Sequence, residues 1–81
     1  MEIGQWFKAF GHSPREEEYF EVVAVHGEKR LTLEHICYSP LYRRITRQER
    51  LQVDYKEWLE SIAKNDVFEI TSDQVPFLMA F

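Results

Sequence analysis

Two alternating runs of apolar and polar residues dominate the first half of the chain. Tyr19 to His26 and Lys29 to Tyr38 are rich in β-branched and aromatic residues and flank Gly27-Glu28. Such a pair around a glycine-led dipeptide predicts a β-hairpin over 19–38, with Gly27 at the first central position of a type II′ turn. A two-residue turn sets His26 opposite Lys29, Ala24 opposite Leu31, Val22 opposite Leu33 and Phe20 opposite His35. Side chains alternate, so Phe20, Val22, Ala24, Leu31 and Leu33 share the expected core face. The other face collects Tyr19, Val23, Val25, Thr32 and Ile36, with Glu21 opposite Glu34 and Arg30 at one end. It is too apolar to be simply solvated, and the N-terminal aromatic segment is expected to cover it.

The period then changes. Tyr55, Trp58, Leu59 and Ile62 recur at helical spacing, while Lys56, Glu57, Glu60 and Lys64 are polar. Asp54 is a capping residue, Glu57 completes a D-x-x-E box, and Val53 with Trp58 makes a hydrophobic staple. A helix near 54–64 follows, ended by Asn65-Asp66. Val67 to Ile70 reads as a strand and Thr71 to Gln74 as a turn. Val75 to Phe81 reads as a last strand or an apolar tail, with Pro76 favouring an edge position. Its large apolar side chains are expected to dock on the core, with a homodimer or partner contact as the competing outcome.

Two segments are less determined. Ile3, Trp6, Phe7 and Phe10 fall at helical spacing, predicting a short N-terminal aromatic helix or turn, broken by Gly11-His12-Ser13-Pro14. Between Ser39 and Val53 two readings stand. Ser39-Pro40 and Thr46-Arg47-Gln48-Glu49 are helix-start patterns, allowing one long or broken helix from Pro40 to Lys64. Alternatively, Leu41–Thr46 and Arg50–Val53 form a second hairpin around Arg47-Gln48-Glu49. The second is preferred, because the staple places a helix start at Asp54. The expected fold is α+β: a small antiparallel sheet, hairpin 19–38 plus a strand near 67–70, packed against the 54–64 helix in a single domain, 1–81.

Composition narrows the class. Of 81 residues, 44% are hydrophobic and 15% aromatic, which makes a core feasible without staples in so short a chain. Cys37 is the only cysteine, so no intrachain disulfide exists. The opening MEIGQWFKAF lacks a basic region followed by an apolar run, so no signal peptide is expected. No apolar stretch approaches the roughly 20 residues that span a bilayer. A cytoplasmic, reducing setting without membrane attachment is the default expectation.

Net charge is −4, which disfavours non-specific attraction to nucleic acid. Its distribution is segregated. Residues 1–28 hold six acids and two bases, 29–50 hold six bases and two acids, and 51–81 again hold six acids and two bases. The middle is basic, the flanks acidic.

Catalytic chemistry finds little support. Glu34-His35-x-Cys37 offers metal donors, with His12 or His26 to complete a set, but one cysteine with scattered histidines lacks the paired spacing of zinc sites. Cys37 is expected to pack as a small apolar group, with no metal and no cofactor. As a nucleophile, with His35 or His26 as base, it lacks any marked oxyanion hole or activating helix N-terminus. So short a chain can hardly enclose a useful cleft. The three glycines stand apart, so no phosphate loop exists. The expectation is a non-enzyme.

The surface carries the stronger candidates. Tyr42, Arg43, Arg44, Arg47 and Arg50 form a basic run with guanidinium forks suited to carboxylate or phosphate. Glu16, Glu17 and Glu18 form an acidic counterpart suited to a basic groove. These charges also stand to pair with one another inside the chain. The expected function is a small protein-binding module acting by steric occlusion, such as an inhibitor of a larger enzyme or complex, of the phage-encoded, anti-defence or immunity type. The alternative is a nucleic-acid-binding regulator using the Arg43–Arg50 run, with Tyr38 and Tyr42 stacking on exposed bases.

Overall fold

The computed structural model describes residues 1–10 and 15–78. Along the chain come β1 (Trp6–Ala9), β2 (Glu17–His26), β3 (Arg30–Ser39), β4 (Arg44–Asp54), α1 (Tyr55–Ala63) and β5 (Val67–Ile70). Two short 3-10 turns follow, Ser72–Gln74 and Pro76–Leu78. The strands form one sheet in the order β4-β3-β2-β1-β5, with every pair antiparallel. β1 to β4 are a meander. α1 then carries the chain from one edge to the other, where β5 pairs with β1. The α+β expectation holds.

The hairpin forms, with a correction near its turn. His26 lies opposite Arg30 rather than Lys29, so the loop holds three residues. Gly27 adopts φ 61°, which glycine reaches without a Cβ penalty. The extra loop residue is absorbed by a bulge at Val23, after which Val22 faces Leu33, Glu21 faces Glu34 and Phe20 faces His35, as expected. Between bulge and turn the faces exchange: Val25, not Ala24, lies opposite Leu31.

Each face of the sheet carries a core. Under α1 lie Phe7, Val22, Leu31, Leu33 and Val67, with Trp58 reaching down from the helix. Trp58 meets Phe7 edge-on at 5.4 Å and Phe20 at 5.3 Å between ring centroids. Asp54 caps α1, its Oδ1 accepting from the Lys56 and Glu57 N–H groups at 2.9 and 3.2 Å. Asn65, at φ 61°, takes the left-handed position just past the C-terminus. The Tyr55 N–H donates to the Lys29 carbonyl at 2.9 Å, pinning the helix start to the hairpin turn.

The opposite face holds Trp6, Tyr19, Ile36, Tyr38, Ile70 and Val75. Its cover is the C-terminal 3-10 segment and not the N-terminal one. Phe77 wedges against Trp6, Tyr19 and Tyr38 at 5.8, 5.3 and 5.7 Å. The expected docking of the tail is thus seen through Leu78; Met79 to Phe81 lie outside the described residues, as does the Gly11–Pro14 break.

Two expectations need correcting. The N-terminal aromatic segment is a turn at Ile3-Gly4 followed by a strand, not a helix. A strand sends Trp6 and Phe7 to opposite faces, so each ring fills a different core. Pairing on both sides, with β2 and β5, overrides the helical spacing. In the 39–53 segment a second hairpin does form, but its turn is Pro40 to Arg43. Arg47-Gln48-Glu49 lies within a continuous eleven-residue strand. A further bulge at Thr46 shifts the β3–β4 register between Cys37 and Tyr38.

Candidate functional site

β4 is the edge of the sheet, and among the described residues its outer side pairs with no other strand. Its seven residues from Arg44 to Arg50 are all exposed. At its start the β3–β4 turn projects Leu41 and Tyr42, 72% and 70% exposed. The Tyr42 N–H donates to Ser39 Oγ at 3.2 Å, which shapes the turn. The Arg44 guanidinium lies 5.6 Å from the Tyr42 ring centre, a cation–π distance. Arg43 sits at φ 51°, a left-handed conformation that costs a residue with a Cβ about 1–2 kcal/mol.

The basic run is divided by the strand. Arg47 lies opposite Cys37 on the helix face, and Arg50 lies opposite Glu34 on the other. Arg50 Nε donates to Glu34 Oε2 at 2.9 Å, and Gln48 donates to Oε1 at 3.0 Å. Those two bonds satisfy a carboxylate facing Glu21. Tyr42, Arg43 and Arg44 remain together at the tip. The acidic run is engaged within the chain: Lys8 donates to Glu17 at 2.7 Å, Glu18 pairs with His35, and Thr46 donates to Glu16 at 3.5 Å.

A second group gathers on the helix face beyond the reach of α1. His35 and Cys37, two apart on β3, point the same way; Glu18 on β2 lies opposite Cys37. His35 Nε2 lies 2.9 Å from Glu18 Oε1 and 3.7 Å from Cys37 Sγ. Glu49 on β4 approaches the other ring nitrogen, Nδ1, at 3.6 Å. Arg47 Nη2 donates to Cys37 Sγ at 3.7 Å. The imidazole stacks on Phe20, with centroids 4.7 Å apart and planes 8° from parallel. Burial pushes the Cys37 thiol up, and Glu16 adds to this against the lowering effect of Arg47. A thiol held protonated is a poor nucleophile.

The expected donor set is therefore rearranged. His35 and Cys37 meet, but Glu34 points to the other face, His26 bonds Thr32 at 3.0 Å, and His12 is outside the described residues. Glu18, Glu49 and Arg47 are the partners that sequence reasoning missed. Glu18 had a signal: the register that puts Phe20 opposite His35 puts Glu18 opposite Cys37 two residues further on.

The chain also forms a cleft where none was expected. On the face away from α1, an open groove of about 430 Å³ runs between the 3-10 segment and β2–β4. Trp6, Ile36, Ile45 and Phe77 make its apolar walls; Glu21, Glu34 and Arg50 are its charged groups. Cys37 and His35 do not line it. No helix among the described residues is long and apolar enough to cross a membrane. The chain matches no protein-family model, no curated protein and no solved structure.

Proposed function

We propose that this chain is a non-catalytic binding module that grips a larger protein through the β3–β4 hairpin and acts by covering its surface. One observation carries the reading: an eleven-residue edge strand, exposed from Arg44 to Arg50, begins at a tip where Leu41 and Tyr42 stand mostly in solvent. An edge strand offers a row of free backbone donors and acceptors to an incoming strand. The tip supplies an aromatic anchor and two arginines, the residue types that dominate binding energy at interfaces. Arg43 keeps a strained backbone where glycine or asparagine would relax it, which favours a role for its guanidinium outside the fold. The partner surface is accordingly acidic beside an exposed strand, and occlusion of that surface is the inhibitory act. An inhibitor of a larger enzyme or complex fits this mode. The nucleic-acid reading is weaker, because Arg47 and Arg50 face opposite sides and leave no continuous basic stripe.

Affinity capture with the full chain, run beside a Leu41→Ala/Tyr42→Ala double variant and a Glu60→Gln control, tests the proposal. The partner is expected with the wild type and the control and lost with the double variant. Hydrogen exchange on the complex should slow at β4 amides. Undiminished capture by the double variant, or β4 amides no slower in the complex, overturns the reading.

A further inference from the structure

We propose that Glu18, His35 and Cys37 form a binding site for a zinc-class divalent cation, apart from the exposed tip of the β3–β4 hairpin. Three different donor types converge there: carboxylate, imidazole and thiol, all within 4.8 Å of one another. They come from two neighbouring strands. His35 and Cys37 share a face because they are two apart on β3, and the β2 register brings Glu18 alongside.

The distances suit tetrahedral ligation. Zn–S of about 2.3 Å and Zn–N of about 2.0–2.1 Å, across a tetrahedral angle, put sulfur and nitrogen about 3.6 Å apart. Cys37 Sγ and His35 Nε2 are 3.7 Å apart. Both the thiol and Glu18 Oε1 approach the same ring nitrogen, Nε2. That convergence leaves one point between three donors where a cation would replace the protons on Nε2 and Sγ. Glu18 is the exposed member, its side chain 46% accessible, and gives the short move that opens 2.9 Å to a ligand–ligand spacing. A fourth position faces solvent on that side and would hold water.

The surroundings match what a bound cation needs. Metal-bound imidazoles place their second nitrogen against a carboxylate or carbonyl, which fixes the ring and raises its basicity. Glu49 stands at that nitrogen. Phe20 holds the ring plane from below. Arg47 donates to the sulfur, and its positive charge favours the thiolate a cation needs. Thiolate and carboxylate together neutralise a dication, so its burial leaves no net charge among the ligands.

Binding is a two-proton exchange at most: the cation enters, the Cys37 thiol proton leaves to solvent, an imidazolium loses its Nε2 proton whereas a neutral ring carries its proton on Nδ1 facing Glu49, and no electron moves. Affinity therefore falls with acid.

The test uses full-length protein, stripped with a chelator, reduced without thiols and titrated with Co²⁺ and then Zn²⁺. Co²⁺ should give a thiolate-to-metal charge-transfer band saturating at about one ion per chain, displaced by Zn²⁺. Cys37→Ser and His35→Gln should abolish the band. Glu49→Gln should keep the stoichiometry and weaken affinity about 10- to 100-fold. His26→Gln should change nothing, since His26 lies elsewhere on the sheet. Should Cys37→Ser fail to fold, wild-type protein still decides: Zn²⁺ must slow alkylation of Cys37 by a thiol reagent. No charge-transfer band in wild-type protein, a band that survives in folded Cys37→Ser, or alkylation indifferent to Zn²⁺ overturns the site.

Discussion

Trp58 holds α1 to the sheet, and its replacement measures how much of the fold depends on that contact. It is the only buried residue of the helix. Truncating a buried tryptophan to alanine costs about 3–5 kcal/mol, the ring contacts with Phe7 and Phe20 included. One feature pulls the figure down. Trp58 Nε1 is buried and has no acceptor among the described residues. An unsatisfied buried donor costs about 1–3 kcal/mol, and the substitution removes it along with the ring. Trp58→Ala should therefore fall at the lower end, about 3 kcal/mol. A domain of this size holds roughly 4–12 kcal/mol in all. At about 4–8 °C per kcal/mol, the midpoint should drop by roughly 12–24 °C. Trp58→Phe separates the two effects. It keeps an aromatic ring against Phe7 and Phe20 while deleting the orphan N–H, and should stay within about 1.5 kcal/mol of wild type. Urea titrations at equal m-values give both numbers. The reasoning fails if phenylalanine costs as much as alanine, since the indole N–H must then be making a strong bond. It also fails if alanine is nearly neutral, because α1 would not be anchored through this residue.

Three other perturbations probe the opposite face, the tip and the alkaline limb. Phe77→Ala should cost about 2–3 kcal/mol by chemical denaturation, less than a fully buried ring because Phe77 is only half-buried where it packs on Trp6, Tyr19 and Tyr38; a cost below about 1 kcal/mol would mean the 3-10 segment is not the cover. Arg43→Gly should raise stability by up to about 1 kcal/mol, the left-handed strain relieved being partly offset by glycine's greater unfolded freedom; a clear loss on thermal melting would contradict that backbone assignment. In chelator-treated protein, burial raises the Tyr19 phenol well above its ordinary 10.0, with Glu17 adding to the effect, and burial raises the Cys37 thiol above its ordinary 9.0. Both groups hold protons more tightly folded than unfolded, so stability is complete below about pH 9 and declines as pH rises. Cys37→Ala should flatten the first part of that decline and Tyr19→Phe the later part, read from urea midpoints between pH 8 and 11.

What the sequence disclosed was local. The helix start was legible because the Asp54 side chain reaches backbone groups two and three residues away, and those bonds are present. β5 was legible from its flanking turn residues; the Phe20–His35 register followed from an expected two-residue turn and holds because the bulge at Val23 absorbs the third loop residue. β1 was not. Its identity comes from β2 and β5, partners separated from it by more than ten and by about sixty residues. No periodicity in eight residues reports that both sheet faces need a ring. The β3–β4 turn was hidden because it holds no glycine, and Arg43 takes a conformation its sequence does not advertise. The bulges at Val23 and Thr46 likewise carry no glycine, yet they reset which side chains share a face. Glu18 was within reach of the hairpin register. Arg47 and Glu49 were not, since their places beside Cys37 and His35 depend on a turn that starts seven residues earlier than the expected one.

Cluster and edge strand both depend on β4. Near α1, Val53 is packed into the helix-face core, so that end of the strand is held by side chains. From Arg50 back to Arg44 every residue is exposed, and the strand is held by its ladder to β3 and by a few polar contacts. Two of those contacts, Glu49 to His35 and Arg47 to Cys37, belong to the proposed cation site. A cation there would join β2 and β3 directly and draw β4 in through Glu49. An edge strand already fixed in extended form loses less freedom when another chain pairs with it, and that saving appears as affinity. The two proposals therefore meet in one physical quantity, the order of residues 44–50. Zinc should tighten partner binding without touching the partner, and Glu49→Gln should uncouple the two while leaving each in place.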